Sequence, residues 1–277
     1  MDAHSAAEQL FFVTVRIDTV DNDNVQGAGT GFVFQHPAGE MNYPFIVTNK
    51  HVIEKANSGG ITFIKARDEK PALGDHFRLH LEQFDSLWFG HPDPAIDIAI
   101  APLAPMERFI EGLGVKIFYR AIGSDLIPTP LQMADIDAIE DIVFVGYPNG
   151  IWDQKNFLPI ARRGTTATPI PVNFDGERKF LIDASVFGGS SGSPVFIYNT
   201  GTYGTKNGPA KVGTRVHFVG VVSAVFFRTE LNELVSVPIP TATKPMALVK
   251  EMLDLGVVLK AETVVETAEA FVKKIGS

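Results

Sequence analysis

Many short strand-like runs broken by turn formers, the first of which alternates apolar and polar residues, make this chain read as a β-rich fold. Val13-Thr14-Val15-Arg16-Ile17-Asp18 shows the pattern clearly. Gly31 to Phe34, Phe45 to Thr48, Ile61 to Ile64, Phe77 to Leu81 and Ile96 to Ile100 follow. Clusters such as Asp21-Asn22-Asp23-Asn24 and His91-Pro92-Asp93-Pro94 separate them. A second series runs through Asp141 to Gly146, Phe180 to Asp183, Val195 to Tyr198, His217 to Ser223 and Leu234 to Val237. Between the two series, Ile122 to Pro130 has the Gly, Ser and Pro content of a connector. Thr200 to Gly208 reads as an exposed hairpin tip. Two successive sets of short strands suggest paired barrels or sandwiches.

Helical spacing occurs only at the ends. A short helix capped near Ser5 precedes the first strand, and helical runs are expected over Pro245 to Leu255 and Ala261 to Ile275. In the second run Val264, Ala268, Phe271 and Ile275 share one face. The expected division is a first β unit over residues 1–121, a second over 122–240 and a helical tail over 241–277.

The 277 residues carry a net charge of −8 and are 45% hydrophobic, which suits a soluble globular protein and disfavours nucleic acid or an anionic membrane as partner. The nearest approach to a basic cluster is Arg162-Arg163. There is no cysteine, so disulfides, thiolate metal sites and thiol catalysis are excluded. The acidic first residues lack the basic start and apolar core of a secretory signal, and a cytoplasmic location is expected.

Phe187-Gly188-Gly189-Ser190-Ser191-Gly192-Ser193-Pro194 places three glycines and three serines between two apolar runs. It could be an ordinary flexible loop. Small residues at this density also let backbone N–H groups converge beside an exposed hydroxyl. A serine nucleophile needs a base within hydrogen-bond reach and a third group to orient that base. His51, at the end of the apolar run Phe45 to Thr48, and Asp97, flanked by Ile96, Ile98, Ala99 and Ile100, are the candidates. Taken singly, each has a plainer explanation, as a structural histidine at a strand end or a turn-capping aspartate.

Together, Ile46-Val47-Thr48-Asn49-Lys50-His51-Val52-Ile53, Asp97-Ile98-Ala99-Ile100 and Gly189-Ser190-Ser191-Gly192-Ser193-Pro194 resemble the three motifs of trypsin-like serine peptidases. They stand in that family's order, 46 residues apart from His51 to Asp97 and 94 from Asp97 to Ser191. The disulfide-free bacterial branch that includes the HtrA-type proteases is the most similar. Gly29-Thr30-Gly31-Phe32-Val33 and Gly146-Tyr147-Pro148 are lesser matches, and the likeness covers roughly residues 10–240.

The resemblance implies two six-stranded antiparallel β-barrels and hydrolysis of protein or peptide substrates without metal or cofactor. Ser191 would be the nucleophile, His51 the general base and Asp97 its orienting carboxylate, with the N–H groups of Gly189 and Ser191 as the oxyanion hole. It also implies that Ser185 forms the base of the primary specificity pocket and Ser223, Ala224 and Val225 its wall. Without an acid at Ser185, and with Val225 narrowing the wall, small or medium apolar side chains are expected there. Ser190 stands where digestive members carry the acid that pairs with a newly cut N-terminus, and Ser193 where glycine is usual. Control is therefore expected from a regulatory partner, self-association or a disordered oxyanion loop. The 37 residues after Pro240 are too few for the peptide-binding domain that HtrA-type enzymes often carry. A fold kept for binding without turnover, or an esterase, are the alternatives.

Three other signals point elsewhere and are set aside. Gly27 to Gly31 leads into a strand, whereas a nucleotide-binding loop leads into a helix. His76 and His80 alternate with Phe77, Leu79 and Leu81 as on a strand, which turns them outward and gives no metal site. Asp135 to Asp141 lacks the glycine and spacing of a calcium loop and reads as a solvated acidic face.

Overall fold

Phe32-Val33-Phe34 and Phe45-Ile46-Val47 are buried on both faces, and this double burial organises the chain. Phe32, Phe34, Phe45 and Val47 face one apolar cluster, while Val33 and Ile46 face another. In the computed structural model, which describes residues 1–148, 151–231 and 248–276, two β-sheets meet along the first of these clusters.

The first sheet comprises β1 (Thr14–Asp21), β2 (Gln26–Ala38), β3 (Met41–Thr48), β4 (Ala56–Arg67), β5 (Lys70–Glu82), β6 (Phe89–Gly90), β7 (Ala99–Pro102), β8 (Ile117–Phe118) and β9 (Ile122–Gly123). Its strand order is β5-β4-β1-β2-β3-β7-β6, with β8 beside β4 and β9 beside β2, nine strands in all; two sheets followed by a C-terminal helix are consistent with the expected two-barrel class. The second sheet is a closed six-stranded barrel, β10-β11-β12-β15-β14-β13. Its strands are β10 (Asp141–Gly146), β11 (Ile160–Thr166), β12 (Lys179–Asp183), β13 (Pro194–Thr205), β14 (Gly208–Leu231) and β15 (Leu248–Lys260). The turn at Lys206-Asn207 joins β13 to β14 at an exposed tip, as the sequence indicates.

Each sheet encloses its own core, and a third core fills the seam between them. Ile142 and Phe144 of β10 point into the barrel and Val143 and Val145 into the seam. There Phe218 contacts Phe32, Phe34 and Phe196 with ring centroids 5.4, 6.3 and 5.8 Å apart.

Five helices are described: α1 (Ala6–Leu10), α2 (Lys50–Ile53), α3 (Leu103–Gly112), α4 (Pro130–Asp135) and α5 (Glu262–Gly276). Ser5 and Glu8 form a capping box on α1. The spacing of Leu103 and Ile110, both buried, marks α3, which lies in a half read from its sequence as all-β. In α5, Val264 and Ala268 are buried on the seam and Phe271 packs edge-on to Phe45 and Phe89, whereas Ile275 is exposed rather than on the packed face.

The helix expected over Pro245 to Leu255 is corrected. From Leu248 the chain is a strand that pairs with both β12 and β14 and closes the barrel. Gly256 lies so close to Val186 that a Cβ would come within 2.7 Å of its Cγ2, and the β-branched pair Val257-Val258 follows. Barrel closure leaves this segment no room to coil, so the helical tail begins only at Glu262. Leu234 to Val237 and the start of the corrected helix fall outside the described residues.

Candidate active site

His51 sits on α2, a single turn at the end of β3 whose Ile53 is anchored in the first core. Asn49 precedes it, fully buried, and its Nδ2 donates to the Asp97 carbonyl at 2.7 Å. On the opposing segment Ile96, Ile98 and Ile100 all face the seam, so the intervening Asp97 is turned the other way, toward His51. The result is a double contact: the His51 N–H donates to Asp97 Oδ1 at 3.1 Å, and His51 Nδ1 lies 2.6 Å from Asp97 Oδ2. The carboxylate can only accept there, which assigns the proton to Nδ1 and leaves Nε2 free to take one up.

A third donor meets the same carboxylate. Ser223 Oγ–H donates to Asp97 Oδ2 at 2.8 Å. Burial by itself would raise the Asp97 pKa, but the hydrogen bonds and charge of His51, with Ser223 adding to them, outweigh it and hold the carboxyl below the usual carboxylate range. Lys50 Nζ donates to the carbonyls of His91 and Asp93 at 3.0 and 3.1 Å, tying α2 to the segment that carries Asp97.

Ser191 is held by two consecutive turns. The Ser190 N–H donates to the Phe187 carbonyl at 3.0 Å with Gly189 at φ +83°, and the Ser193 N–H donates to the Ser190 carbonyl at 3.0 Å with Gly192 at φ +86°. A positive φ at the third position makes both type II turns, which glycine adopts without strain. Gly192 is constrained twice over, since a Cβ would lie 1.9 Å from the Thr30 carbonyl oxygen. The N–H groups of Gly189 and Ser191 donate to no acceptor among the described residues.

Thr30 organises this loop from the neighbouring sheet. Its N–H donates to the Ser191 carbonyl at 3.0 Å, and its Oγ–H donates to the Gly189 carbonyl at 3.0 Å while accepting from the Tyr147 N–H at 3.0 Å. Thr48 Oγ–H in turn donates to the Thr30 carbonyl at 2.7 Å. In the sequence, Thr30 was one letter of a glycine-flanked match; its standing between two glycines was the available signal.

His51, Gly189 and Ser191 line one cleft of about 350 Å³, together with Val52, Asp21 and Glu54. Among the described residues the Ser191 hydroxyl bonds the Ser223 carbonyl, at a long 3.5 Å, and not His51. Ser185, Ala224 and Val225 do not border this cleft, and Val225 packs against the barrel core. Ser223, expected in a pocket wall, has its side chain on Asp97 instead. Ser193 is fully buried, with its Oγ against Gly146, where a Cβ would approach it to 2.0 Å. His76 and His80 are exposed on β5 as read from the sequence, and His76 stacks on Phe157 at 3.7 Å.

Two β-sheets thus place Ser191 and His51 on one cleft, with Asp97 bonded to His51. The trypsin-like peptidase domain family matches residues 29–202, and the chain belongs to that family. The active form of the Rv3671c protease of M. tuberculosis is similar with a TM-score of 0.42 at 19% identity, covering 94% of this chain and 81% of that one. A serine endoprotease from Yersinia pestis gives a TM-score of 0.49 at 15% identity, covering 97% of this chain and 65% of its own. The thermostable serine protease AL20 from an extremophilic microorganism gives 0.44 at 13% identity, covering 94% and 97%. No curated protein matches the sequence.

Proposed function

We propose that this chain is a serine endopeptidase acting through an acyl-enzyme. Ser191 Oγ attacks the peptide carbonyl while His51 Nε2 takes its proton, and the same proton then passes to the leaving amine as the C–N bond breaks. A water molecule, deprotonated by His51, releases the acyl group from Ser191. Asp97 fixes the tautomer of His51 and stabilises the imidazolium, and the N–H groups of Gly189 and Ser191 receive the oxyanion. Acyl transfer by these groups requires no metal or cofactor.

The observation that carries this reading is the 2.6 Å contact between His51 Nδ1 and Asp97 Oδ2 beside a serine whose flanking amide donors are unengaged among the described residues. The missing His51 to Ser191 hydrogen bond favours the alternative of a fold kept for binding, although such bonds in unliganded sites often tighten only with substrate. Ser185 in place of an acid supports a preference for small or medium apolar side chains before the cleaved bond. The test is labelling with a fluorophosphonate probe and cleavage of an unfolded protein, with Ser191→Ala as control. Labelling and proteolysis lost in the variant support the peptidase, labelling with ester turnover but no proteolysis indicates an esterase, and a folded wild type that does not label is a binding protein.

A further inference from the structure

The cleft at Ser191 continues past Gly27. A second cleft of about 670 Å³ shares Thr19, Gln26 and Gly27 with it, so the two form one trough across the first sheet. Strand register places buried Thr30, then Arg16, Thr62 and Arg78, in one row over β2, β1, β4 and β5, and the last three line the far cleft. Thr30 is the residue bonded to the Ser191 carbonyl, so the row starts at the candidate nucleophile. Three inter-strand steps of about 4.8 Å place Arg78 about 14 Å from Thr30, a span that an extended peptide covers in about four residues.

Charge changes sign along the trough. Asp21 and Glu54 border the end near Ser191, whereas Arg16 and Arg78 border the far end. Asp18 Oδ1 is already taken by Arg16, at 2.9 Å from Nε and 2.5 Å from Nη2. Arg78 Nη2 reaches the other oxygen only at 3.7 Å, outside hydrogen-bond distance, and its side chain is 55% exposed. Trp152 covers Arg16 at 4.9 Å and meets Phe157 at 5.0 Å, giving the far cleft an aromatic side wall. A guanidinium that makes no hydrogen bond to a described residue, in a cleft it shares with Trp152 and Phe157, is suited to a carboxylate on a peptide.

We propose that this far cleft is a subsite for a carboxylate-bearing segment of the substrate, held by Arg78 about four residues from the cleaved bond. The proposal rests on the peptidase reading. Because Ser185, Ala224 and Val225, assigned there to the residue before the cut, do not border the trough, the segment lies after the cut. The carboxylate is either an Asp or Glu side chain or the terminal carboxylate of a short peptide.

Two measurements test it. In cleavage of a peptide library read by mass spectrometry, wild type favours acidic over amide side chains three to five residues after the cut by about threefold, as expected of an exposed ion pair. Peptides ending there in a free carboxylate, compared with amidated ones, separate the two sources. Arg78→Glu reverses the preference, and about 1 M salt abolishes it. The second arm needs no turnover: acetylated, amidated tetraglutamate quenches Trp152 fluorescence saturably in Ser191→Ala but not in Ser191→Ala with Arg78→Glu, and tetraglutamine quenches neither. Binding without any cleavage leaves the subsite standing and removes the peptidase reading. Cleavage without an acidic or terminal-carboxylate preference, or one unchanged in Arg78→Glu, overturns the subsite.

Discussion

The Thr30 hydroxyl donates to the Gly189 carbonyl at 3.0 Å and accepts from the Tyr147 N–H at 3.0 Å, so one side chain of the first sheet fixes a peptide of the second. The held carbonyl fixes the peptide on the C-terminal side of Gly189, next to the amide proposed as an oxyanion donor. Thr30→Val removes both bonds and strands the Tyr147 amide in a buried site, costing about 1–3 kcal/mol of stability. Loss of one oxyanion donor lowers turnover by about 100-fold or more, so a donor left in place but loosely held predicts a fall of about tenfold. The fall is expected in kcat with KM little changed, and Thr30→Ser restores it, whereas a merely structural role would give no such split.

Gly192→Ala tests the second turn. The new Cβ would lie 1.9 Å from the Thr30 carbonyl, and φ +86° is itself a strained value for alanine. Displacement of the loop is expected, with a loss of about 2–4 kcal/mol in thermal or denaturant unfolding and no detectable serine-probe labelling. Near-normal labelling would show that the loop relaxes more freely than its contacts indicate.

The segments legible in the sequence were those with a strict two-residue period and those defined by local chemistry. Thr14–Asp21 was visible from alternation, Asp141–Gly146 from its short apolar run, and the first helix from a capping residue at Ser5. His51 and Asp97 were legible as candidates because a polar residue at the end or in the middle of an apolar run needs a partner, and they do meet. What was hidden depended on distant partners. Leu248–Lys260 has mixed spacing, and only the open edges of β12 and β14 make it a strand. Nothing near Ser223 in the sequence indicates that its hydroxyl would reach Asp97, 126 residues away.

The three donors around Asp97 set a pH dependence. Its folded-state pKa is lowered, with hydrogen bonds from His51 and Ser223 overcoming the opposing effect of burial. A depressed carboxyl pKa contributes stability that is present above the unfolded value of about 3.9 and is lost as pH falls through the lower folded value. The stability gap between wild type and Asp97→Asn is therefore expected to be constant near neutrality and to close below about pH 4, as read from unfolding midpoints. Ser223→Ala removes one donor to the charged form and moves the folded Asp97 pKa upward, toward the unfolded value, so the acid loss is smaller and is complete at a higher pH. If the wild-type and Asp97→Asn curves stay parallel to about pH 2, the carboxylate is not the group being titrated.

Ser193 carries a buried hydroxyl with no hydrogen-bond partner among the described residues. An unpaired buried polar group costs about 1–3 kcal/mol, so Ser193→Ala is expected to stabilise the protein by about 1 kcal/mol after the lost packing of the oxygen is counted. Gly146 faces it, and a Cβ there would meet Ser193 Oγ at 2.0 Å and Thr30 Oγ1 at 2.6 Å. Gly146→Ala alone is therefore expected to destabilise by about 2 kcal/mol or more. In the double variant the contact with Ser193 Oγ is gone but those with Ser193 Cβ, at 3.2 Å, and Thr30 Oγ1 remain, so rescue is partial. A double-mutant cycle of unfolding free energies measures this coupling. Additive effects, or a destabilising Ser193→Ala, would mean that the hydroxyl has a partner and that serine is preferred to glycine here for its hydrogen bond.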